Sequence, residues 1–193
     1  MSQFFLLLCT FRENNLFVLF PFGMKKILMV LAEIDFRDSE YIVPQALWHQ
    51  FRFDVHTTSS SLKSVGRYGY EVFHDFLISE AKEAEFDALF FVGGNGCLAF
   101  LENKDAKQLA DDFSTAQKPI GAICAAPRLL LHWGLLHQKK CTGYNGDQQF
   151  PKLCEHAGAF FENAPVVVDQ NICTGTGPSA AEQTAIAFGR MLQ

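Results

Sequence analysis

Apolar residues in this chain come in two rhythms, and the two alternate. Unbroken runs at residues 27–32, 87–92 (apolar after Asp87) and 120–123 read as strands buried on both faces of a parallel sheet. Residues 53–58 alternate in polarity and read as a further strand. Two short strands, 166–168 and 172–174, flank an Asp169-Gln170-Asn171 turn. Between the runs, apolar positions fall at helical spacing. Tyr41, Ile42, Ala46, Leu47 and Phe51 mark one helix, with Asp38 or Ser39 as its cap and Pro44 in its first turns. Others cover 103–117, capped by Asn103, then 127–136, and 178–192, which opens on Pro178 beside Ser179. A short helical stretch is expected at 78–85; Ser59-Ser60-Ser61, Gly66 and Gly69 mark loops or a small hairpin. Strands alternating with helices predict a doubly wound α/β sandwich with a mostly parallel sheet.

Composition narrows the class. The 193 residues are 49% hydrophobic, enough for one domain with a sizeable core and too apolar for disorder. The net charge is −5 and no basic run stands out, which argues against a nucleic-acid partner. Cys9, Cys97, Cys124, Cys141, Cys154 and Cys173 form no CxxC pair, a usage that suits reduced thiols in a cytoplasmic protein. The six histidines show no HxxH or HxxxH spacing, so no metal is expected. Twenty phenylalanines are available for the core and an interface.

Residues 1–23 stand apart. Two apolar runs are split by Arg12-Glu13-Asn14-Asn15. Neither approaches the roughly 20 residues that a membrane span needs, and no membrane association is expected. A basic n-region and a small-residue cleavage site are also missing. Residues 1–23 are therefore expected to be an extension, and residues 24–193 the domain proper.

The chemistry concentrates at Lys118-Pro-Ile-Gly-Ala-Ile-Cys124-Ala-Ala-Pro127-Arg-Leu-Leu-Leu131. A strand runs into Cys124, and a helix begins after only Ala125 and Ala126. Such a reversal lifts one side chain to the carboxyl edge of the sheet, where open parallel sheets place their sites. A helix N-terminus aimed at that thiol favours the thiolate. Gly93-Gly94-Asn95-Gly96 closes the preceding strand. The bare N–H groups of Gly94 and Ala125 are candidates for an oxyanion hole. An acid is available after the first strand from Glu33, Asp35, Asp38 or Glu40, and spacing leaves all four open.

Four segments now stand in order: Phe36-Arg-Asp38-Ser-Glu40-Tyr-Ile-Val-Pro44, Phe91-Val-Gly93-Gly94-Asn95, Ala122-Ile-Cys124-Ala-Ala-Pro127 and Thr176-Gly177-Pro178. Together they resemble the ThiJ/PfpI superfamily over nearly all of Met24 to Leu192. The form Ala-Ile-Cys-Ala-Ala-Pro resembles the branch that includes bacterial YajL and the human Parkinson-disease deglycase. The resemblance implies a flavodoxin-like three-layer α/β/α sandwich of the class I glutamine amidotransferase type. In that family a Glu four residues ahead of the helix Pro hydrogen-bonds the nucleophilic Cys, which selects Glu40 ahead of Pro44. A carboxyl beside a buried thiolate is pushed toward its protonated form and can hold and pass a proton. Gly93, Asn95, Tyr144 and Pro178 become candidates for the substrate pocket. Many relatives place a His directly after the Cys or later in the chain; here Ala125 and Tyr144 occupy those places, and His132 and His137 lie on or beyond the following helix.

The resemblance therefore implies a cysteine-dependent, cofactor-free enzyme acting on small reactive aldehydes or glycated substrates, of glyoxalase or deglycase type. It also implies a homodimer. A redox-sensing stress protein or chaperone with an oxidisable Cys124 is the alternative. An amidase or peptidase comes third, because the residues supply no clear Cys–His–acid triad.

Overall fold

The structure is a computed structural model, and it describes residues 23–193. The expected extension at 1–23 therefore lies, but for Gly23, outside the described residues. In chain order the elements are β1 (Lys26–Val30), β2 (Ile34–Phe36), α1 (Asp38–Gln50), β3 (Asp54–Ser59), β4 (Lys63–Gly66), β5 (Glu71–Phe73), β6 (Phe76–Leu77) and β7 (Ala88–Phe91). Then follow α2 (Lys104–Thr115), β8 (Ile120–Ile123), α3 (Pro127–His132), β9 (Lys140–Cys141), α4 (Phe150–Ala157), β10 (Phe160–Phe161), β11 (Val166–Asp169), β12 (Ile172–Gly175) and α5 (Ala181–Arg190).

The main sheet has the order β11-β12-β8-β7-β1-β3-β6. All its pairings are parallel except that of β11 with β12. The chain builds outward from β1 to β3 and β6, then returns to the other side of β1 with β7, β8 and β12. The carboxyl ends of β1 and β7 thus form a topological switch point, the usual seat of a site in such sheets.

Helices cover both faces because successive strand residues point opposite ways. On one face Phe90 meets Trp48 of α1 and Phe188 of α5, with ring centroids 5.0 and 5.3 Å away. The Trp48 indole N–H donates to the carbonyl of Ala185 at 2.9 Å, which ties α1 to α5 and satisfies the buried polar end of the ring. On the other face Phe91 meets Trp133, just past α3, at 5.5 Å. The result is the doubly wound three-layer sandwich that the alternating pattern and the family resemblance led us to expect.

Several local expectations are corrected. The helix expected at 127–136 ends at His132. Gly134 turns left-handed there (φ +78°), and the N–H groups of Gly134 and Leu135 reach back to the carbonyls of Leu131 and Leu130, a Schellman stop. Residues 78–85 make two separate 3-10 turns, and the final helix opens with a 3-10 turn at Pro178–Ala180. Helix α4 was not foreseen; it is eight residues long, about two turns, too short for its apolar face of Phe150 and Cys154 to show a period. Asp38 does not cap α1, and neither does Ser39. The cap is Arg37, which makes no side-chain cap bond. The Asp38 carboxylate instead accepts from the backbone N–H groups of Tyr68 and Tyr70, both at 3.0 Å. It thereby clamps the β4–β5 turn of a small second sheet (β2-β4-β5) onto the start of α1. Gly66 leaves room for the clamp, since a Cβ there would lie 2.5 Å from Asp38 Oδ1.

Candidate active site

Cys124 follows β8 directly and sits in the left-handed region, at φ +63°. That conformation costs a non-glycine residue about 1–2 kcal/mol, and it persists because both flanking peptide groups are fixed. The Cys124 N–H donates to Gly175 O at 2.9 Å, extending the β8–β12 ladder; its carbonyl accepts from Tyr144 N–H at 2.7 Å. The chain then folds back through Ala125 and Ala126, both buried, into Pro127 at the head of α3. The expected elbow is present.

Glu40 lies in the first turn of α1 and is fully buried. Pro44 has no N–H to return to the Glu40 carbonyl, so the helix is locally open at that residue. Pro44 is the seventh residue of the helix, within its first two turns as expected. Two glycines let Glu40 and Cys124 approach. A Cβ on Gly93 would lie 2.3 Å from Glu40 Oε2 and 2.6 Å from Cys124 Cβ. The Cβ position that Gly177 lacks is 3.7 Å from Cys124 Sγ and 3.8 Å from Glu40 Oε1. Sulfur and carboxyl therefore face one shared, atom-sized space. Both Glu40 oxygens lack a partner in strict hydrogen-bond geometry among the described residues. The Cys124 thiol, the Arg37 charge and the Gly93 N–H still act on the carboxyl and favour its charged form.

Burial outweighs them and lifts the Glu40 carboxyl from 4.5 to about 7. Burial, and then the Glu40 charge, push the Cys124 thiol up to about 12; the N–H groups of Gly94 and Ala125 pull the other way. This corrects the expectation of a thiolate favoured by the helix terminus. Burial disfavours the charged sulfur more than the two N–H groups favour it. Cys124 and Glu40 behave as a pair that loses its first proton near neutrality, from the carboxyl.

The sulfur opens onto a cavity of about 300 Å³ lined by Arg37, Arg67, Gly94, Asn95, Cys124, Tyr144 and Pro178. Five of these, Gly94, Asn95, Cys124, Tyr144 and Pro178, were singled out from the sequence. Glu40, Gly93 and Ala125 stand behind the sulfur rather than in the lining. Another pocket, lined by Ala32, Glu33, Ile34, Ser60, Gly96, Ala99, Phe100 and Asn103, contains neither the cysteine nor Glu40. Sequence reasoning missed Arg37, Arg67 and the spacing role of Gly177. Arg37 and Gly177 fall inside the quoted motifs, while Arg67 lies in a loop whose fold depends on Asp38. No imidazole lines the cavity among the described residues. His132 instead faces Glu102 at 3.2 Å, and His137 faces the Ala157 carbonyl at 3.2 Å.

Residues 25–191 match the DJ-1/PfpI family. The chain belongs to that family. It is 33% identical over 157 residues to "Deglycase PfpI" of Pyrococcus furiosus, covering 78% of this chain and 90% of the relative. It is 31% identical over 169 residues to "Putative cysteine protease YraA" of Bacillus subtilis, covering 86% and 96%. A ThiJ/PfpI domain protein from Brachyspira murdochii superposes with a TM-score of 0.82 at 27% identity, over 88% of this chain and 98% of that one. The relationship expected from the four segments is thus confirmed. As a DJ-1/PfpI chain it contains no helix, among the described residues, long and apolar enough to cross a membrane.

Proposed function

We propose that this DJ-1/PfpI chain is a cysteine-dependent enzyme that converts small reactive aldehydes, or their adducts, without a cofactor. One observation carries the reading: a half-buried thiol on a strained elbow and a buried carboxyl share a single atom-sized space at the floor of an open cavity. The printed deglycase names of relatives near 30% identity agree with it.

With methylglyoxal as substrate the steps balance as follows. Glu40 carboxylate takes the thiol proton as sulfur bonds to the aldehyde carbon and passes it to the former aldehyde oxygen, giving a neutral hemithioacetal and restoring the carboxylate. The N–H groups of Gly94 and Ala125, which act on the Cys124 sulfur, are the donors assigned in this reading to the developing oxyanion. Glu40 then moves the proton from the former aldehyde carbon to the neighbouring carbon, through an enediol, leaving a thioester. Water hydrolyses the thioester to lactate and restores the thiol. Glu40, poised near 7, can both take and return a proton near neutral pH.

A peroxide sensor would use the same thiol and carboxyl; no turnover, together with selective oxidation of Cys124 under peroxide, would favour it. A peptidase needs a general acid to protonate the leaving amine, and among the described residues no imidazole lines the cavity. The deciding assay is lactate formation from methylglyoxal without added thiol or metal. Wild type should turn over, and both Cys124→Ser and Glu40→Gln should lose about 100-fold or more. Turnover that survives Cys124→Ser refutes the reading.

A further inference from the structure

The aldehyde chemistry leaves two residues of the cavity wall unused. Arg37 and Arg67 both line it beside Cys124, and the lining contains no carboxylate. The protein as a whole is acidic, with a net charge of −5, so this local positive charge is not a sample of the general surface.

Each arginine is held in place with donors to spare. The Arg37 guanidinium carbon stacks 5.1 Å from the centre of the Tyr68 ring, and its buried Nε finds no acceptor among the described residues. Arg67 stands on the turn that Asp38 clamps, where its backbone N–H also bonds the Phe36 carbonyl at 2.8 Å. Its side chain is about half exposed, and Nη1 lies 3.7 Å from Asp35 Oδ1. That separation is beyond an ordinary hydrogen bond, so the fork of donors remains open. Glu40 is the other carboxylate that feels Arg37, but it lies buried behind the sulfur and outside the lining. Two guanidinium forks beside one thiol form a receptor for a planar or tetrahedral oxyanion.

We propose that the Cys124 cavity selects aldehydes that also carry an anionic group, a carboxylate or a phosphate, and that Arg67 with Arg37 binds that group. The substrate half of this statement rests on the aldehyde reading above; the anion site does not. An anion held at the arginines brings the attached carbonyl to the sulfur in a cavity of only about 300 Å³, so the substrate is small.

The test separates the two halves. Alkylation of Cys124 is followed by peptide mass spectrometry with iodoacetate and with iodoacetamide. In both reactions sulfur displaces iodide and the thiol proton leaves, so the reagents differ in charge and not in chemistry. The iodoacetate-to-iodoacetamide rate ratio should fall about tenfold in Arg67→Gln and recover in part in Arg67→Lys. High salt should shrink the wild-type ratio. An unchanged iodoacetamide rate shows that the variant is folded around an intact thiol. Equal ratios in wild type, Arg67→Gln and Arg37→Gln would overturn the anion site. Turnover of three 2-oxoaldehydes, 4,5-dioxopentanoate, 3-phosphooxypyruvaldehyde and methylglyoxal, then tells the sources apart. A carboxylate site favours the first, a phosphate site the second, and an Arg67-independent preference for the third overturns the proposal. If no aldehyde turns over while the alkylation ratio still depends on Arg67, the aldehyde reading fails and the anion site stands.

Discussion

Glu40→Gln gives the sharpest test of the buried pair, because it makes stability and activity move in opposite directions. Burial raises the folded carboxyl from 4.5 to about 7. The unfolded chain loses this proton first as pH rises, so between those values the folded state binds more protons. Stability must then fall with rising pH. The cost is absent below about pH 4.5, grows through the window, and is complete above about pH 7. At about 1.36 kcal/mol per pH unit the full cost is about 3 kcal/mol. Glutamine cannot ionise, so this part of the pH slope disappears in the variant.

The measurement is urea unfolding of wild type and Glu40→Gln from about pH 4 to about pH 8. The amide brings its own fixed penalty as a buried donor, of about 1–3 kcal/mol, so one pH decides nothing. The change in the difference between the two proteins is free of that offset. It should favour the variant by about 3 kcal/mol more at the alkaline end than at the acid end, or roughly 6–12 °C in Tm for a chain this size. Cys124→Ser should keep the wild-type slope, since burial rather than the thiol is the leading cause of the Glu40 shift. Parallel curves for wild type and Glu40→Gln would refute the buried, neutral-pH acid. Wild-type turnover should rise as pH increases through about 7, where Glu40 becomes the carboxylate that accepts the thiol proton.

Other outcomes follow from the same geometry. Gly177→Ala puts a methyl 3.7 Å from Cys124 Sγ and 3.8 Å from Glu40 Oε1 at φ +152°; kcat/KM should drop about tenfold or more and urea stability by about 1–3 kcal/mol. Cys124→Gly removes the left-handed strain at φ +63° and should raise stability by about 1 kcal/mol while abolishing turnover. Asp38→Ala releases the N–H groups of Tyr68 and Tyr70; hydrogen exchange in the β4–β5 turn should speed up, with little change at β8.

The buried strands were legible because a parallel sheet covered on both faces needs unbroken apolar runs, and β1, β7 and β8 have them. The elbow was legible for a related reason: only small residues fit where just three residues separate the end of a strand from the start of a helix. The shallow elements were not. Strands β9 and β10 have two residues each and alternate too briefly to show a period. Asp38 reads locally as a cap, but a tertiary contact with the β4–β5 turn uses its carboxylate instead. That same contact is why Arg67 stayed hidden, since its place in the cavity depends on a loop that no local pattern specifies. The thiol's acidity was misjudged because a sequence shows that a helix begins after Cys124 but not how deeply the sulfur is buried beside Glu40.

Two unfavourable features meet at one point in this fold, and stability alone gives no reason for either. The left-handed Cys124 costs about 1–2 kcal/mol. The buried Glu40 costs about 3 kcal/mol above neutral pH. Domains are stable by only about 5–15 kcal/mol in total, so these are large fractions to concentrate on two adjoining residues. Each has an inexpensive remedy, glycine at one position and an apolar side chain at the other. Each remedy would remove the thiol or the proton carrier and leave the rest of the sheet unchanged. Gly93 and Gly177 point the same way, since both keep side-chain atoms out of the space between sulfur and carboxyl. Strain, burial and vacancy coincide where β7, β8 and α1 converge, and the proposed proton transfer between thiol and carboxyl would account for all three together.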